Sequence, residues 1–181
     1  MNHMRNLITI VESGIKTIKH GSEDDIALSD DLNRIYGYTQ RPGRSLTKLG
    51  HLVTLDVWVE SPEHPRYFFL LDQAGTPKGF CLLKQSSRTK GIDAYRVNLI
   101  FLVTDARGHG DGFAFYEFLL DRGFTLESDT DQTTMSQGVW AKLSKRPGYR
   151  VDVVGEDGEI IPGAKISTVY ASSGHLIARK T

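Results

Sequence analysis

Three glycines at alternate positions form the part of the sequence whose residue types most directly suggest chemistry. They lie in a six-residue stretch that also carries a cation, an imidazole and a carboxylate: Arg107, Gly108, His109, Gly110, Asp111 and Gly112. Glycine allows positive φ and lets a backbone N–H approach a ligand without interference from Cβ. A glycine-rich turn that leads into a helix presents unpaired N–H groups at the positive end of the helix dipole. The stretch, called the glycine loop below, therefore predicts either an anion-binding site or a tight turn that needs glycine for geometry alone.

The flanking segments predict a strand before the glycine loop and a helix after it. Residues 97–103 are apolar and β-branched, as in a buried strand. The apolar residues from Phe113 to Leu120 have helical spacing, and Gly123 is a typical C-terminal stop. Residues 125–129 then predict a short second strand that ends in Glu127, Ser128 and Asp129. The glycine loop is thus expected where a central strand meets a helix.

The rest of the chain predicts an α+β fold rather than repeated βαβ units. Residues 67–72 and 78–84 form strands that flank a five-residue hairpin loop, so antiparallel strands precede the glycine loop. Further elements are expected at residues 7–11 (strand), 24–38 (helix), 136–145 (helix) and 149–154 (strand), with C-terminal hairpins within 151–161 and 166–178. Residues 51–59 fit a strand or a short helix equally well.

Composition places few constraints on partners. The 22 basic and 22 acidic residues balance, so the net charge does not indicate nucleic acid, although small basic clusters leave such a partner open. Cys81 is the only cysteine and lies in an apolar run, which favours a buried side chain over a nucleophile. The N-terminal stretch has no apolar core followed by a cleavage site, and no segment is long enough to span a membrane. We therefore expect a cytoplasmic protein that does not engage a membrane.

The glycine loop fits the pattern Arg/Gln-x-x-Gly-x-Gly/Ala, and the chain resembles the GNAT superfamily of acetyl-CoA-dependent N-acetyltransferases. The resemblance covers about residues 67–154 and includes Gly148 and Tyr149, which match a Gly-aromatic pair after the last helix. The segment from Ser128 to Leu143 is also similar to phage-encoded GNAT-like proteins. The resemblance implies a single domain over residues 1–181 with a mixed, mostly antiparallel central sheet flanked by helices. Within it, residues 1–66 would be a variable acceptor-side segment and residues 149–181 the C-terminal strands.

The resemblance also implies a donor and the residues that hold it. The donor would be acetyl-CoA, with backbone N–H groups of the glycine loop on its pyrophosphate and Arg107 adding charge. Main-chain groups at the end of the central strand would contact the pantetheine and the thioester carbonyl. The implied donor-binding residues are Leu102, Val103, Arg107, Gly108, His109, Gly110, Asp111 and Gly112. An amine acceptor is implied but not identified, and homodimers are common in the family.

The acceptor amine must lose a proton before it attacks, so a base is needed. Asp129 is our first candidate and Glu127 the second, because alternation along the strand puts both on one face. A surface or helix-capping role is an equal alternative for each carboxylate. Many GNAT enzymes place a tyrosine four residues before the Gly-aromatic pair as the acid that protonates the thiolate. Here that position is Ser144, which puts the acid step in doubt.

Two other interpretations stay open on the sequence alone. A dinucleotide-binding domain also places a glycine loop between a strand and a helix, with acidic residues about 20 positions further on. Its glycines follow Gly-x-Gly-x-x-Gly, however, whereas this loop runs Gly-x-Gly-x-Gly and is preceded by hairpins. A GNAT-like protein without catalysis, serving as a binding or structural module, would account for Ser144 in place of the tyrosine.

Overall fold

The computed structural model describes residues 23–60, 67–128, 134–169 and 174–181. In these ranges the helices are α1 (Glu23–Thr39), α2 (Asp111–Asp121), α3 (Thr134–Leu143) and α4 (Ile166–Val169), and a 3₁₀ turn spans Thr104–Ala106. The strands are β1 (Thr47–His51), β2 (Asp56–Val59), β3 (Tyr67–Leu71), β4 (Pro77–Ser86), β5 (Ala94–Leu102), β6 (Leu126–Glu127), β7 (Tyr149–Val154), β8 (Ile160–Ile161) and β9 (His175–Lys180).

The strands hydrogen-bond in the order β1-β2-β3-β4-β5-β6-β9-β7-β8. Strands β1 to β4 pair antiparallel in succession, and β9 pairs antiparallel with both β6 and β7. The β5–β6 pair is parallel, with Tyr95 opposite Leu126 and Arg96 opposite Glu127. The predicted α+β class with a mixed, mostly antiparallel sheet is therefore confirmed.

The described chain divides into two compact units, and β4, β5 and α2 each contribute to both. The first unit comprises described residues up to 83 together with residues 99–115. Its core lies under α1, where Leu28 and Leu32 pack on the aromatic side chains of three strands: Phe69, Phe80 and Phe101. On the other side of β3, Phe68 makes an edge-to-face contact with Phe115 of α2, with ring centroids 5.4 Å apart. The start of α2 is thereby anchored on the sheet that also supports the glycine loop.

The second unit comprises residues 84–98 and the described residues from 116 onward. Ala94, Val154 and Ile177 form a fully buried cluster in which β5, β7 and β9 meet. Helix α3 contributes Trp140, which packs edge-to-face on Tyr116 with ring centroids 6.2 Å apart. Our prediction of one domain over residues 1–181 stays a prediction.

Two sequence-based assignments need correction or completion. The undecided residues 51–59 contain the end of β1, a turn and β2, because Leu52 N–H donates to Leu55 O at 2.8 Å and reverses the chain. Residues 166–169 form a one-turn helix rather than the first strand of a hairpin, and β9 pairs instead with β6 and β7. The expected strand at residues 7–11 lies outside the described residues.

Cys81 lies in β4 with no exposed surface, and burial raises its pKa well above the ordinary value. Only the thiolate reacts with disulfide and alkylating reagents, so both access and ionisation are suppressed. We expect the native thiol to stay unmodified by a chromogenic disulfide reagent at pH 8, whereas the protein in urea reacts within minutes. Fast stoichiometric labelling of the native protein would contradict this burial.

Candidate functional site

The glycine loop follows the end of β5 through the 3₁₀ turn at Thr104–Ala106. Gly108 has φ +84° and Gly110 has φ +93°, a region that side chains with a Cβ rarely adopt. No described non-glycine residue has a positive φ. Glycine at these two positions is thus required by the turn itself, whatever the turn binds.

Gly112 has a different explanation, because the backbone does not require glycine there. It is the second residue of α2, and its φ is not positive. A Cβ at this position would meet no heavy atom within 4 Å beyond its chain neighbours and the helix backbone. Glycine in a helix costs up to about 1 kcal/mol relative to alanine. Close approach of a ligand to the backbone would account for glycine at this open position.

The N–H groups of the glycine loop point to an anion site. Among the described residues, none of the N–H groups of residues 108–112 donates to a protein acceptor. Residues 111 and 112 begin α2, where N–H groups lack intrahelical partners, and the 11-residue helix adds its dipole. The loop residues Gly108, His109 and Gly110 are exposed. Five consecutive N–H groups at a helix N-terminus therefore lack a protein acceptor, and the first three belong to exposed residues.

Arg107 anchors the glycine loop to the end of β5. Its Nε donates to the carbonyl of Leu102 at 2.7 Å, and its guanidinium carbon lies 5.6 Å from the ring centroid of Phe101. Arg107 and Leu102, both predicted to bind the donor, are thereby joined to each other. The positive charge stays next to the loop, as an anion site needs, and contact of Arg107 with a pyrophosphate stays a prediction.

Val103 is engaged within the protein. Its N–H donates to the carbonyl of Lys78 at 2.8 Å, and its own carbonyl accepts from Ala106 N–H at 3.0 Å. Lys78 in turn pairs with Asp105 of the 3₁₀ turn at 2.6 Å, which raises the pKa of Lys78. In this arrangement the Val103 N–H is not free to donate to a thioester carbonyl, the role that the resemblance implied for this position.

The carboxylate of Asp111 is buried against the turn between β1 and β2. Its Oδ1 accepts the backbone N–H groups of Val53, Thr54 and Leu55 at 3.0, 2.8 and 3.2 Å, and its Oδ2 accepts the Thr54 hydroxyl at 2.6 Å. Burial alone would raise the pKa of Asp111, but these hydrogen bonds outweigh it and lower the pKa. Asp111 is thus ionised at neutral pH, with its charge used within the fold.

Glu127 is buried in the second unit and is fully engaged. Its Oε1 accepts the Thr89 N–H at 3.1 Å and the Thr89 hydroxyl at 2.6 Å, while Ser86 Oγ donates to its Oε2. His175 Nε2 lies 3.0 Å from Thr89 Oγ1 and 3.7 Å from Glu127 Oε1. Because Thr89 gives its only hydroxyl hydrogen to the carboxylate, Nε2 of His175 is the donor of that pair.

The surroundings of Glu127 do not suit a general base. Burial would raise its pKa, but the neighbouring His175 imidazole and the hydrogen bonds from Ser86 and Thr89 outweigh burial and lower the pKa to about 2. A carboxylate with such a pKa is a weak proton acceptor, and its side chain has no exposed surface. We do not retain Glu127 as a base. Asp129, the first candidate, lies outside the described residues.

The described residues do not supply an evident acid either. The Ser144 hydroxyl, directly after α3, donates to the carbonyl of Ala141 at 3.0 Å. Tyr149 is half-buried, and burial together with Asp121 raises its pKa to about 12. Tyr116 is buried against Trp140.

Sequence reasoning missed the residues that engage the two carboxylates. Thr54 lies 57 positions from Asp111, and Thr89 and His175 lie 38 and 48 positions from Glu127 on other elements. No local pattern links residues so far apart. The described residues also contain no group of three His, Cys, Asp or Glu side chains that could hold a metal ion. None of the described helices is both long and apolar enough to cross a bilayer.

No protein-family model matches the sequence, and no curated protein is significantly similar to it. Among solved structures, a protein from Bordetella pertussis assigned to the GnaT family of acetyltransferases is 18% identical, covers 62% of this chain and 64% of its own, and has a TM-score of 0.36. A Corynebacterium glutamicum structure, described as histone acetyltransferase HPA2 and related acetyltransferase, is 13% identical, covers 87% and 74%, and has a TM-score of 0.39. Naa20 of Chaetomium thermophilum, solved with a bisubstrate analogue, is 18% identical, covers 64% and 65%, and has a TM-score of 0.34.

The first two of these structures are acetyltransferases by description. The chain spans 64% of the length of the Bordetella protein. All three TM-scores are below 0.5, so these similarities do not assign a function.

Proposed function

We propose that this protein is an acetyl-CoA-dependent N-acetyltransferase in which the glycine loop binds the pyrophosphate of the donor. The observation that supports the proposal most directly is the row of N–H groups at residues 108–112, which have no acceptor among the described residues. The open space at Gly112 gives a phosphate room to approach them. The residues present therefore fit the group that the resemblance implies.

The energetics of such a loop suit a substrate that must also be released. Hydrogen bonds to a charged group contribute about 1.5–3 kcal/mol each. Four of them would support binding in the micromolar range, which corresponds to about 8 kcal/mol, once the costs of association are deducted. The acidic side chain within the loop does not oppose this, because the Asp111 charge is satisfied by four donors of residues 53–55.

The donor supplies the acetyl thioester, and the chain would orient it and remove a proton from the acceptor amine. We propose Asp129 as the base, because it follows β6 by two positions in the sequence. The acceptor is an amine of a protein, a small molecule or a nucleobase. Glu127 would hold the end of that strand rather than take the proton, since it is buried and has a pKa of about 2.

A second candidate function is a donor-binding module without catalysis. Two observations favour it: the Val103 N–H is used by Lys78 O at 2.8 Å, and Ser144 stands where many related enzymes have a tyrosine. A site that lacks both an oxyanion donor and an acid would bind acetyl-CoA but would not turn it over. Binding and turnover must therefore be measured separately.

Calorimetric titration with acetyl-CoA tests the proposal, with CoA and NAD as comparison ligands. We expect micromolar binding of acetyl-CoA and CoA, thermal stabilisation by both, and no saturable binding of NAD. Release of free thiol with a panel of amines and peptides would then separate an enzyme from a binding module. Failure to bind acetyl-CoA would overturn the donor site, and preferential binding of NAD would favour the dinucleotide-binding alternative.

A further inference from the structure

The turn between β1 and β2, residues 52–55, is fastened to the first residue of α2. One buried carboxylate oxygen takes three successive backbone N–H groups, and the other takes a hydroxyl, with all four distances between 2.6 and 3.2 Å. Asp111 is 1% exposed although the turn itself, at Val53 and Thr54, is exposed. Four donors of one exposed turn thus converge on a single buried carboxylate at the start of α2.

The same turn also lies close to Gly110 of the glycine loop. A Cβ at Gly110 would lie 3.8 Å from Val53 Cγ2, which is an ordinary van der Waals distance. Val53 is 56% exposed and is one of four large apolar side chains that the described surface shows. The turn therefore lies against the glycine loop on one side and presents an apolar side chain next to it.

We propose that Asp111 is a positioning residue for donor binding, which fixes the turn at residues 52–55 against α2 and thereby sets the direction of the N–H groups of the glycine loop. This inference rests on the proposed function. Gly108 and Gly110 give the loop wide conformational freedom, and that freedom would have to be lost on binding. A loop that is already ordered in the free protein binds more tightly, because less conformational entropy is lost on binding.

The same contact gives Val53 a part in the donor site. With the turn fastened, its exposed side chain lies beside Gly110, where it would form an apolar wall next to the phosphate-binding N–H groups. Donors aimed at a charged group act more strongly when water is kept from one side of them. The hairpin of β1 and β2 thus belongs to the donor site and not to the acceptor site alone.

The test compares Asp111→Ala with Asp111→Asn and with Leu70→Val, a destabilising change at a fully buried position of β3. Alanine removes every acceptor from residues 53–55, whereas asparagine keeps Oδ1 for the three N–H groups and can donate to Thr54 Oγ1. We expect at least tenfold weaker acetyl-CoA binding by titration for Asp111→Ala and most of the affinity restored in Asp111→Asn. Leu70→Val should lower the melting temperature without changing the affinity. In a turnover assay the loss should appear in KM for acetyl-CoA, with kcat nearly unchanged.

The outcomes separate this inference from the proposed function. No binding by the wild-type protein would overturn the proposed function, and the positioning role with it. Wild-type binding that Asp111→Ala retains at full affinity would overturn the positioning role alone. Equal losses in Asp111→Ala and Leu70→Val would show that Asp111 acts through stability only. If Asp111→Ala fails to fold, an unchanged affinity in Thr54→Val together with Val53→Ser would overturn the inference.

Discussion

Replacing Gly112 with leucine is expected to abolish acetyl-CoA binding while the protein stays folded. The added side chain enters space where no protein atom lies within 4 Å, and the φ at this position suits any residue. Leucine also favours a helix over glycine by roughly 0.5–1 kcal/mol, so thermal stability should rise slightly. The side chain would keep a phosphate from at least two N–H groups worth about 1.5–3 kcal/mol each, which weakens binding about hundredfold or more.

Gly138 offers a matched control for this change. It also lies within a helix, α3, with ordinary φ and no heavy atom within 4 Å of a built Cβ. Gly138→Leu should raise stability to a similar extent and leave acetyl-CoA affinity unchanged. Calorimetric titration and thermal unfolding of both variants make the comparison. Retained affinity in Gly112→Leu would show that the donor does not bind at the glycine loop.

The local elements could be predicted because each depends on neighbouring residues. Strand β7 was predicted at its observed bounds, and the helix after the glycine loop ends as expected before Gly123, which has φ +84°. The five-residue hairpin between β3 and β4 was also predicted, and its Asp72 accepts N–H groups of Ala74 and Thr76. In each case the turn chemistry and the periodicity indicate the same structure.

The failures have a different physical origin. Residues 51–59 could not be assigned because the turn within them is stabilised by Asp111, which lies more than 50 positions away. Three of the four residues at 166–169 have β-branched side chains that favour a strand, but the described strand partners of β9 are β6 and β7. Tertiary contacts decided both segments, and local propensity carries no information on them.

The candidate site was predictable in position but not in the roles of its side chains. The glycine pattern located the helix N-terminus, because the positive-φ turn that precedes the helix is specified by the glycines within it. The sequence could not show that Asp111 faces residues 53–55, or that Glu127 is enclosed by Ser86, Thr89 and His175. A carboxylate at the end of a strand is a base or a structural acceptor according to what surrounds it, and those neighbours come from distant parts of the chain.

The second large effect is expected at Glu127, and it concerns stability rather than catalysis. Glu127→Ala would leave three donors without their acceptor, the Thr89 N–H and the hydroxyls of Ser86 and Thr89, and would remove the carboxylate next to His175. Removing one member of a buried charged network typically costs about 3–5 kcal/mol. We expect a loss of this size in the free energy of unfolding by urea at pH 7. Glu117→Gln is the control, because its pair with the exposed Arg146 is worth only about 0–1 kcal/mol.

The same network predicts how stability depends on pH. The pKa of Glu127 falls from an ordinary 4.5 to about 2 in the folded protein, so the ionised form stabilises the fold. At about 1.4 kcal/mol for each tenfold change in the proton equilibrium, the contribution is about 3 kcal/mol. Because the folded pKa is the lower one, this contribution is complete above about pH 5 and is lost as the pH falls toward 2.

Glu127→Gln separates the charge from the shape of the side chain. The amide keeps an acceptor for Thr89 but cannot ionise, so the variant should be less stable than wild type at pH 7 and should lose less stability on acidification. The difference between the two free energies of unfolding should shrink as the pH falls from 5 toward 2. If Glu127→Gln instead matches the wild type across this range, the carboxylate is not the ionised centre of the network. Glu127 would then again be a candidate for the general base, as strand alternation with Asp129 first suggested.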